Sequence, residues 1–408
     1  MKKSLPFSFF GILLIVLMFS CNSKQTSTSL ERVILLIWDG LPMNAIEQMP
    51  LPVMQQLATK GTFFKELHVP LPAHPSQNND LNSPTYYPWG CSLPNPVAMT
   101  GTVFIGLDSV KECMIQHSFD QQLTAFTVNC SMYEAISVGF DEYCQLENGP
   151  ADYLRDELSV EKAIGLIEEK DPAFIRIHMQ GPGWAGHIVN KGSETRGQGH
   201  LKYADPNGSL PWLKDIWHPK SPYRLQSLKA DSLLGVLVDW LEKNSKMEET
   251  VLLIAGDHGQ ADVGAHSPYE EKSSITSLLV VGKGIKQGKV YDYAEVFDIA
   301  PTIARLCQVP KPKFAIGRVL TESFINGTGQ IPQDHNLQEL NNILFEHHKF
   351  VEGNAQLLDN PAFRELNEQF LTIERVGVWH REFADLPSLT RHNKRCLDKL
   401  KKMVLAKN

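Results

Sequence analysis

The sequence predicts an α/β fold: a mostly parallel central sheet with helices on both faces, followed by a helical C-terminal extension. Three observations carry this. Apolar runs at Arg32–Trp38, Phe174–Met179 and residues 251–255 show little polar alternation, the pattern of strands covered on both faces. Helical spacing of apolar residues separates them, with Leu154, Leu158, Ala163, Leu166 and Ile167 in residues 152–169, and Leu225, Leu228, Leu233, Leu234, Leu237 and Leu241 in residues 224–242. After Leu320 the strand runs stop, and three helical patterns follow around Leu337, Phe363 and Leu397.

The chain has 408 residues, is 42% hydrophobic and carries a net charge of −7, enough for a large core. No basic block stands out, so no nucleic-acid-binding surface is expected. Lys2 and Lys3 precede an apolar stretch, residues 7–19, that ends at Ser20-Cys21. Two cations, a short apolar core and a small residue make an export signal too short for a comfortable membrane span. Leu17-Met18-Phe19-Ser20-Cys21 is similar to a bacterial lipoprotein cleavage box, with Met18 where Leu is usual. That reading makes residues 1–21 a signal peptide, Cys21 the lipidated first residue and residues 22–30 a polar tether. The chain is then membrane-anchored through its N-terminal lipid, facing the periplasm or the cell surface. The alternatives are an ordinary secretory signal or a retained anchor. Export implies an oxidising compartment. None of the other cysteines, Cys91, Cys113, Cys130, Cys144, Cys307 and Cys396, forms a CxxC pair, so a zinc ribbon is not expected. Disulfides are allowed, but spacing does not assign their pairing.

The elements follow in order. Asp39-Gly40 ends the first run; residues 54–58 read as a helix and 63–69 as a strand. Residues 74–90 are a polar, Pro-rich loop leading to Cys91-Ser-Leu-Pro-Asn-Pro96. Pro96 suits a first helical turn with Asn95 as its cap. A hydroxyl or thiol just before such an N-terminus lies where backbone N–H groups favour an anion, a sensible place for a nucleophile. Strands and helices alternate through residues 113–140, and a linker begins at 137–141. The run Phe174–Met179 leads into Gln180-Gly-Pro-Gly-Trp-Ala-Gly-His187. Residues 188–223, with Trp212 and Trp217, have no periodicity and read as a long insertion covering the substrate. Residues 251–255 break at Gly256 to present Asp257, His258 and His266. Residues 277–281 form a strand, and 296–306 a helix opening near Pro301. Glu346-His347-His348 reads as a solvated helix face. Thus three apolar runs end in Asp39, in His187, and in Asp257 with His258 and His266, at the edge where open parallel sheets bind ligands. Asp and His without thiolates suit zinc, or manganese with more oxygen ligands; calcium is a further alternative.

Val33-Ile-Leu-Leu-Ile-Trp-Asp-Gly40, Met99-Thr-Gly101, Pro182-Gly-Trp-Ala-Gly-His187, Gly256-Asp-His-Gly259, Gly264-Ala-His266, Val281-Gly-Lys-Gly-Ile285 and Asp298-Ile-Ala-Pro-Thr302 occur in one order. In set, order and spacing they resemble the alkaline phosphatase superfamily, in its branch of type I phosphodiesterases, nucleotide pyrophosphatases, sulfatases and phosphonate hydrolases. The resemblance implies a catalytic domain over residues 31–322, with residues 323–408 as the helical extension packed on it. It also implies that Asp39, Asp257 and His258 hold one divalent metal together with the nucleophile, and that His187 and His266 belong to a second. The nucleophile attacks a phosphate or sulfate ester in line, giving a covalent intermediate that water releases.

Two positions depart from that pattern. Gly183 stands where the superfamily motif has a metal-ligating Asp, so a second metal would need another carboxylate, with Asp205 and Asp262 as guesses, or the site holds one metal. The nucleophile is Cys91 by spacing from Gly101 and Ser92 by the local Pro-Asn alignment; the reading favours Ser92. Cys91-Ser-Leu-Pro-Asn lacks the Pro and Arg of the sulfatase maturation motif, so formylglycine is not expected. The leading expectation is hydrolysis of phosphodiesters or nucleotide pyrophosphates. The alternatives are a sulfatase or phosphonate-ester hydrolase, a phosphoethanolamine-type transferase, and a binding protein that has lost catalysis.

Overall fold

The computed structural model describes residues 32–69, 114–192, 203–266, 270–312, 315, 317–327, 334–372 and 385–405. The signal peptide, the tether, Cys91, Ser92 and Met99-Thr-Gly101 lie outside the described residues.

Eight strands form one sheet: β1 (Arg32–Trp38), β2 (Gly61–His68), β3 (Thr124–Val128), β4 (Glu142–Gln145), β5 (Phe174–Met179), β6 (Thr250–Ala255), β7 (Ile275–Gly282) and β8 (Lys289–Glu295). Their order is β4-β3-β5-β1-β6-β7-β2-β8. All neighbours are parallel except β7, which runs against both β6 and β2. The mostly parallel sheet is therefore as the apolar runs predict. β4 and β8 are the two edge strands, and both are partly exposed and polar, which hid them from a search for apolar runs.

Both faces of the sheet are covered. Val33, Leu35, Ile37 and Leu253 pack with Ile299 and Ile303 and with Leu337, Leu340, Leu344, Leu389 and Leu397 of the C-terminal helices. Ile34, Leu36, Trp38 and Leu252, on the other face, pack with Val160, Ala163, Leu234, Leu237 and Leu241 of the helices Asp156–Lys170 and Pro222–Lys243. The helices Asn336–Gly353 and Leu386–Leu405 thus share the core of the sheet.

The structure bears on two sequence readings, and corrects the one for His347. Within residues 188–223, the helix Gly181–Lys191 runs into the start of the stretch, and Trp212, Ile216 and Tyr223 of its described remainder join the core. Trp212, Ile216 and Tyr223 are fully buried; the Trp212 indole donates to the Tyr203 carbonyl at 2.8 Å, and that of Trp217 to Asp262 Oδ1 at 2.9 Å. The Trp212 ring fills the interior, and that of Trp217 is half-buried. His347 does not lie on a solvated face. It is buried, its Nε2 is 2.8 Å from Asn367 Oδ1, and its ring stacks on Phe370 with centroids 3.6 Å apart.

The helix Gly181–Lys191 is held at its start by Asp156, whose Oδ1 accepts the Gly181 N–H at 2.8 Å and the Asn129 amide at 3.0 Å. Burial pushes the Asp156 carboxyl up to about 7. The folded state therefore keeps a proton that the unfolded chain, with an ordinary value near 3.8, has released. The contribution to stability is complete at pH below the ordinary value and is lost as pH rises through about 7. At about 1.4 kcal/mol per tenfold difference in proton affinity, the cost of ionising it approaches roughly 4 kcal/mol at alkaline pH. Asp156→Asn keeps a neutral acceptor, so its thermal midpoint relative to the parent should climb between pH 5 and pH 9. A difference that stays flat across that range would show that Asp156 is not held as a buried acid.

Candidate metal centre

β1 lies between β5 and β6, so the carboxyl ends of these three parallel strands converge. β1 delivers Asp39, and the chain turns away at Gly40 with φ +64°, a left-handed conformation natural to glycine. β6 delivers Asp257 and His258. His178, still inside β5 and paired in register with Ile37, joins them.

Asp39, His178 and Asp257 are all buried, and each offers a ligand atom within 4.8 Å of the others. His178 Nε2 is 3.4 Å from Asp39 Oδ2. His258 Nε2 is 3.8 Å from Asp39 Oδ1 and 3.8 Å from Asp257 Oδ2. Surrounding groups fix these side chains. The Tyr133 hydroxyl donates to Asp39 Oδ2 at 3.0 Å, and the N–H groups of Gly40 and His258 donate to Asp257 Oδ1 at 3.1 and 3.0 Å. His258 Nδ1 lies 2.7 Å from the Gly259 carbonyl. A proton held there makes Nε2 the lone-pair nitrogen, facing both carboxylates.

Burial raises both the Asp39 and Asp257 carboxyls above the ordinary range; the charge of Asp39 raises Asp257 further, while His258 opposes the shift in each. Burial depresses His178 to about 3, so its imidazole is neutral. Asp257 Oδ2 and His258 Nε2 are buried with no hydrogen-bond partner. Leaving buried polar atoms unsatisfied costs about 1–3 kcal/mol each. Two lone-pair atoms facing each other, backed by a second carboxylate, fit a divalent cation. Asp39, Asp257 and His258 would hold it, with His178 beside them. His178 escaped the sequence reading because candidates were sought after the strands, not within them. The signal was a His in a strand read as buried, which needs a partner for its ring nitrogens.

His187 and His266 come close to this cluster. His187 is half-buried on the helix Gly181–Lys191 and His266 is buried, with ring centroids 5.1 Å apart; the His266 and His258 rings are 3.8 Å apart. The carboxylate for a second metal is missing, and its space is filled. A Cβ on Gly183 would stand 1.6 Å from Asp39 Oδ1. Both suggested substitutes have other partners. Asp205 pairs with Lys220 at 2.8 Å, and Asp262 pairs with Lys272 and accepts the Trp217 N–H. The described residues fit one metal and do not fit a second.

The Sulfatase family profile matches residues 79–309, more than half of the chain. The chain belongs to the Sulfatase family. Membership places it in the alkaline phosphatase superfamily that its motifs resemble. Sulfatase-family relatives include GPI ethanolamine phosphate transferase 2 of Candida albicans, 25% identical over 216 residues, covering 50% of this chain and 19% of the relative. Human arylsulfatase K is 27% identical over 122 residues, covering 28% of this chain and 23% of the relative. The matches thus span about a fifth of the length of these curated relatives. Among solved structures, one bound to its substrate D-glucosamine-2-N,6-O-disulfate superposes with a TM-score of 0.53 at 16% identity, covering 74% of this chain and 82% of that one. A 2-O GAG sulfatase does so with a TM-score of 0.53 at 13% identity, covering 74% and 76%. These superpositions support the Sulfatase fold.

Proposed function

We propose that the protein is a metal-dependent hydrolase of phosphate esters, diesters first, that uses one divalent cation, zinc before manganese or calcium. The observation that carries this is the buried, unpartnered pair Asp257 Oδ2 and His258 Nε2 beside Asp39. A bound cation supplies positive charge to offset the nonbridging oxygens of the ester and to lower the pKa of the nucleophile. Asp39, Asp257 and His258 orient and neutralise that charge, Tyr133 and the two backbone N–H groups lock the carboxylates, and neutral His178 completes the wall. Ser92, or Cys91, gives up its proton to solvent and attacks in line: its oxygen (or sulfur) bonds to phosphorus as the bond to the ester oxygen breaks, and that oxygen leaves with the pair of electrons and takes a proton from water. Water then cleaves the covalent intermediate. Nucleotide pyrophosphates belong to the same reading, since they present a diester-like phosphorus to the same centre. Residues 1–21 are proposed to export the chain and Cys21 to tether it to a membrane; among the described residues no helix is long and apolar enough to cross one.

Sulfate-ester hydrolysis is the second reading, favoured by family membership and by the arylsulfatase relatives. The ethanolamine phosphate transferase relatives support the variant in which an acceptor other than water takes the group.

Elemental analysis of protein lacking residues 1–21, run beside turnover of bis-p-nitrophenyl phosphate and p-nitrophenyl sulfate, tests both. One metal per chain is expected, with phosphodiester turnover falling about 10³-fold or more in Ser92→Ala and little changed in Cys91→Ala. Sulfate turnover alone would select the second reading. No metal after supplementation, with neither ester cleaved, would leave a binding protein.

A further inference from the structure

Gln260 is 1% exposed, and neither its Oε1 nor its Nε2 has a hydrogen-bond partner. A buried carboxamide with both ends unsatisfied is costly and rare in a folded chain. Its surroundings keep room for it. A Cβ on Gly40 would stand 2.6 Å from its Oε1, and a Cβ on Gly186 would stand 2.0 Å from its Nε2. The amide therefore lies between the Asp39-Gly40 turn and Gly186 of the helix Gly181–Lys191. Gly40 follows the ligand candidate Asp39 in the chain and Gly186 precedes His187, so the amide packs beside the backbone that carries both.

From this we infer that the Gln260 carboxamide binds a nonbridging oxygen of the tetrahedral phosphate or sulfate group. This rests on the ester-hydrolase reading of the same centre. A tetrahedral oxyanion beside one cation still presents oxygens that need donors. An amide N–H supplies one without charge, where a site with two metals would supply a second cation. Asp39 and Asp257 crowd the same centre with negative charge, so a neutral donor suits an anionic ligand there and a carboxylate would repel it. Gly40 and Gly186 then act as spacers, since any side chain at either position would displace the amide.

The test uses metal-loaded protein, with tungstate as the tetrahedral probe, in the parent, Gln260→Ala and Gln260→Glu. Metal content, tungstate affinity by calorimetry, ester kinetics and thermal midpoint are measured together. Gln260→Ala should keep its metal, bind tungstate about 10-fold or more weakly and lose about 10²-fold in kcat, the scale of one lost oxyanion donor. Gln260→Glu, nearly the same shape, should bind tungstate more weakly still than Gln260→Ala. A purely structural role reverses that order, because Glu fills the space better than Ala, and would overturn the assignment. So would parent-like tungstate affinity in Gln260→Ala, or uptake of a second metal by Gln260→Glu. A parent chain that holds no metal and cleaves no ester would instead fail the hydrolase reading; tungstate binding in the parent that still depends on Gln260 would keep the oxyanion site.

Discussion

Asp257→Asn should abolish ester hydrolysis, by about 10³-fold or more, while the metal-free protein becomes harder to melt. The two effects share one cause. Asp257 is fully buried within 4.8 Å of Asp39, and burial together with the Asp39 charge makes its ionised form expensive. The asparagine oxygen can keep the N–H bonds from Gly40 and His258, and its new amide faces the lone pair of His258 Nε2. The substitution thus removes a buried charge and satisfies an orphaned acceptor, at the loss of the metal. Calorimetry in chelator should show the variant melting a few degrees above the parent, and titration with zinc should raise the parent alone, by about 4 kcal/mol at a thousandfold excess over its Kd. A variant that melts lower, or still turns over with metal, would remove Asp257 from the centre.

Gly183→Ala should also lose metal affinity, by at least about 100-fold, although alanine is the better helix former by about 1 kcal/mol. Gly183 lies in the helix Gly181–Lys191, where that exchange ordinarily stabilises. Here the new methyl would stand 1.6 Å from Asp39 Oδ1, so the carboxylate must swing away from His258 and Asp257. The same contact predicts that Gly183→Asp does not create a second metal site. Metal content by elemental analysis checks both, and a Gly183→Ala protein with parent metal affinity would show that Asp39 can be pushed aside without cost.

Most of this sheet was legible from the chain because its central strands are covered on both faces, which turns them into unbroken apolar runs such as Arg32–Trp38. The edge strands β4 and β8 were not, since partial exposure lets polar residues enter them. Asp39, Asp257 and His258 announced themselves by leaving strands together. His178 did not, because a ligand inside a strand looks like any core position until its neighbours are known. The missing carboxylate at Gly183 was visible as a gap in a motif; that Asp39 occupies the space follows only from packing. The burial of Trp212 was hidden for a related reason, since an irregular segment can send side chains into a core without showing any period.

The placement of β1 has a consequence for how the chain is made. It is the first described strand to be synthesised, yet its partners β5 and β6 come more than a hundred residues later, and its upper face is closed by the helices Asn336–Gly353 and Leu386–Leu405 at the far end. Leu41, Met54 and Leu57, close behind β1 in the sequence, can cover only the face that carries Ile34, Leu36 and Trp38. Nascent chains must therefore carry an apolar strand with one bare face and two unpaired edges through much of translation, a topology that folds slowly and exposes the chain to aggregation. A ribosome halted before residue 299 would hold a sheet whose Val33–Leu35–Ile37 face lacks the helices that cover it, and such arrested chains should be the ones captured by holdase chaperones.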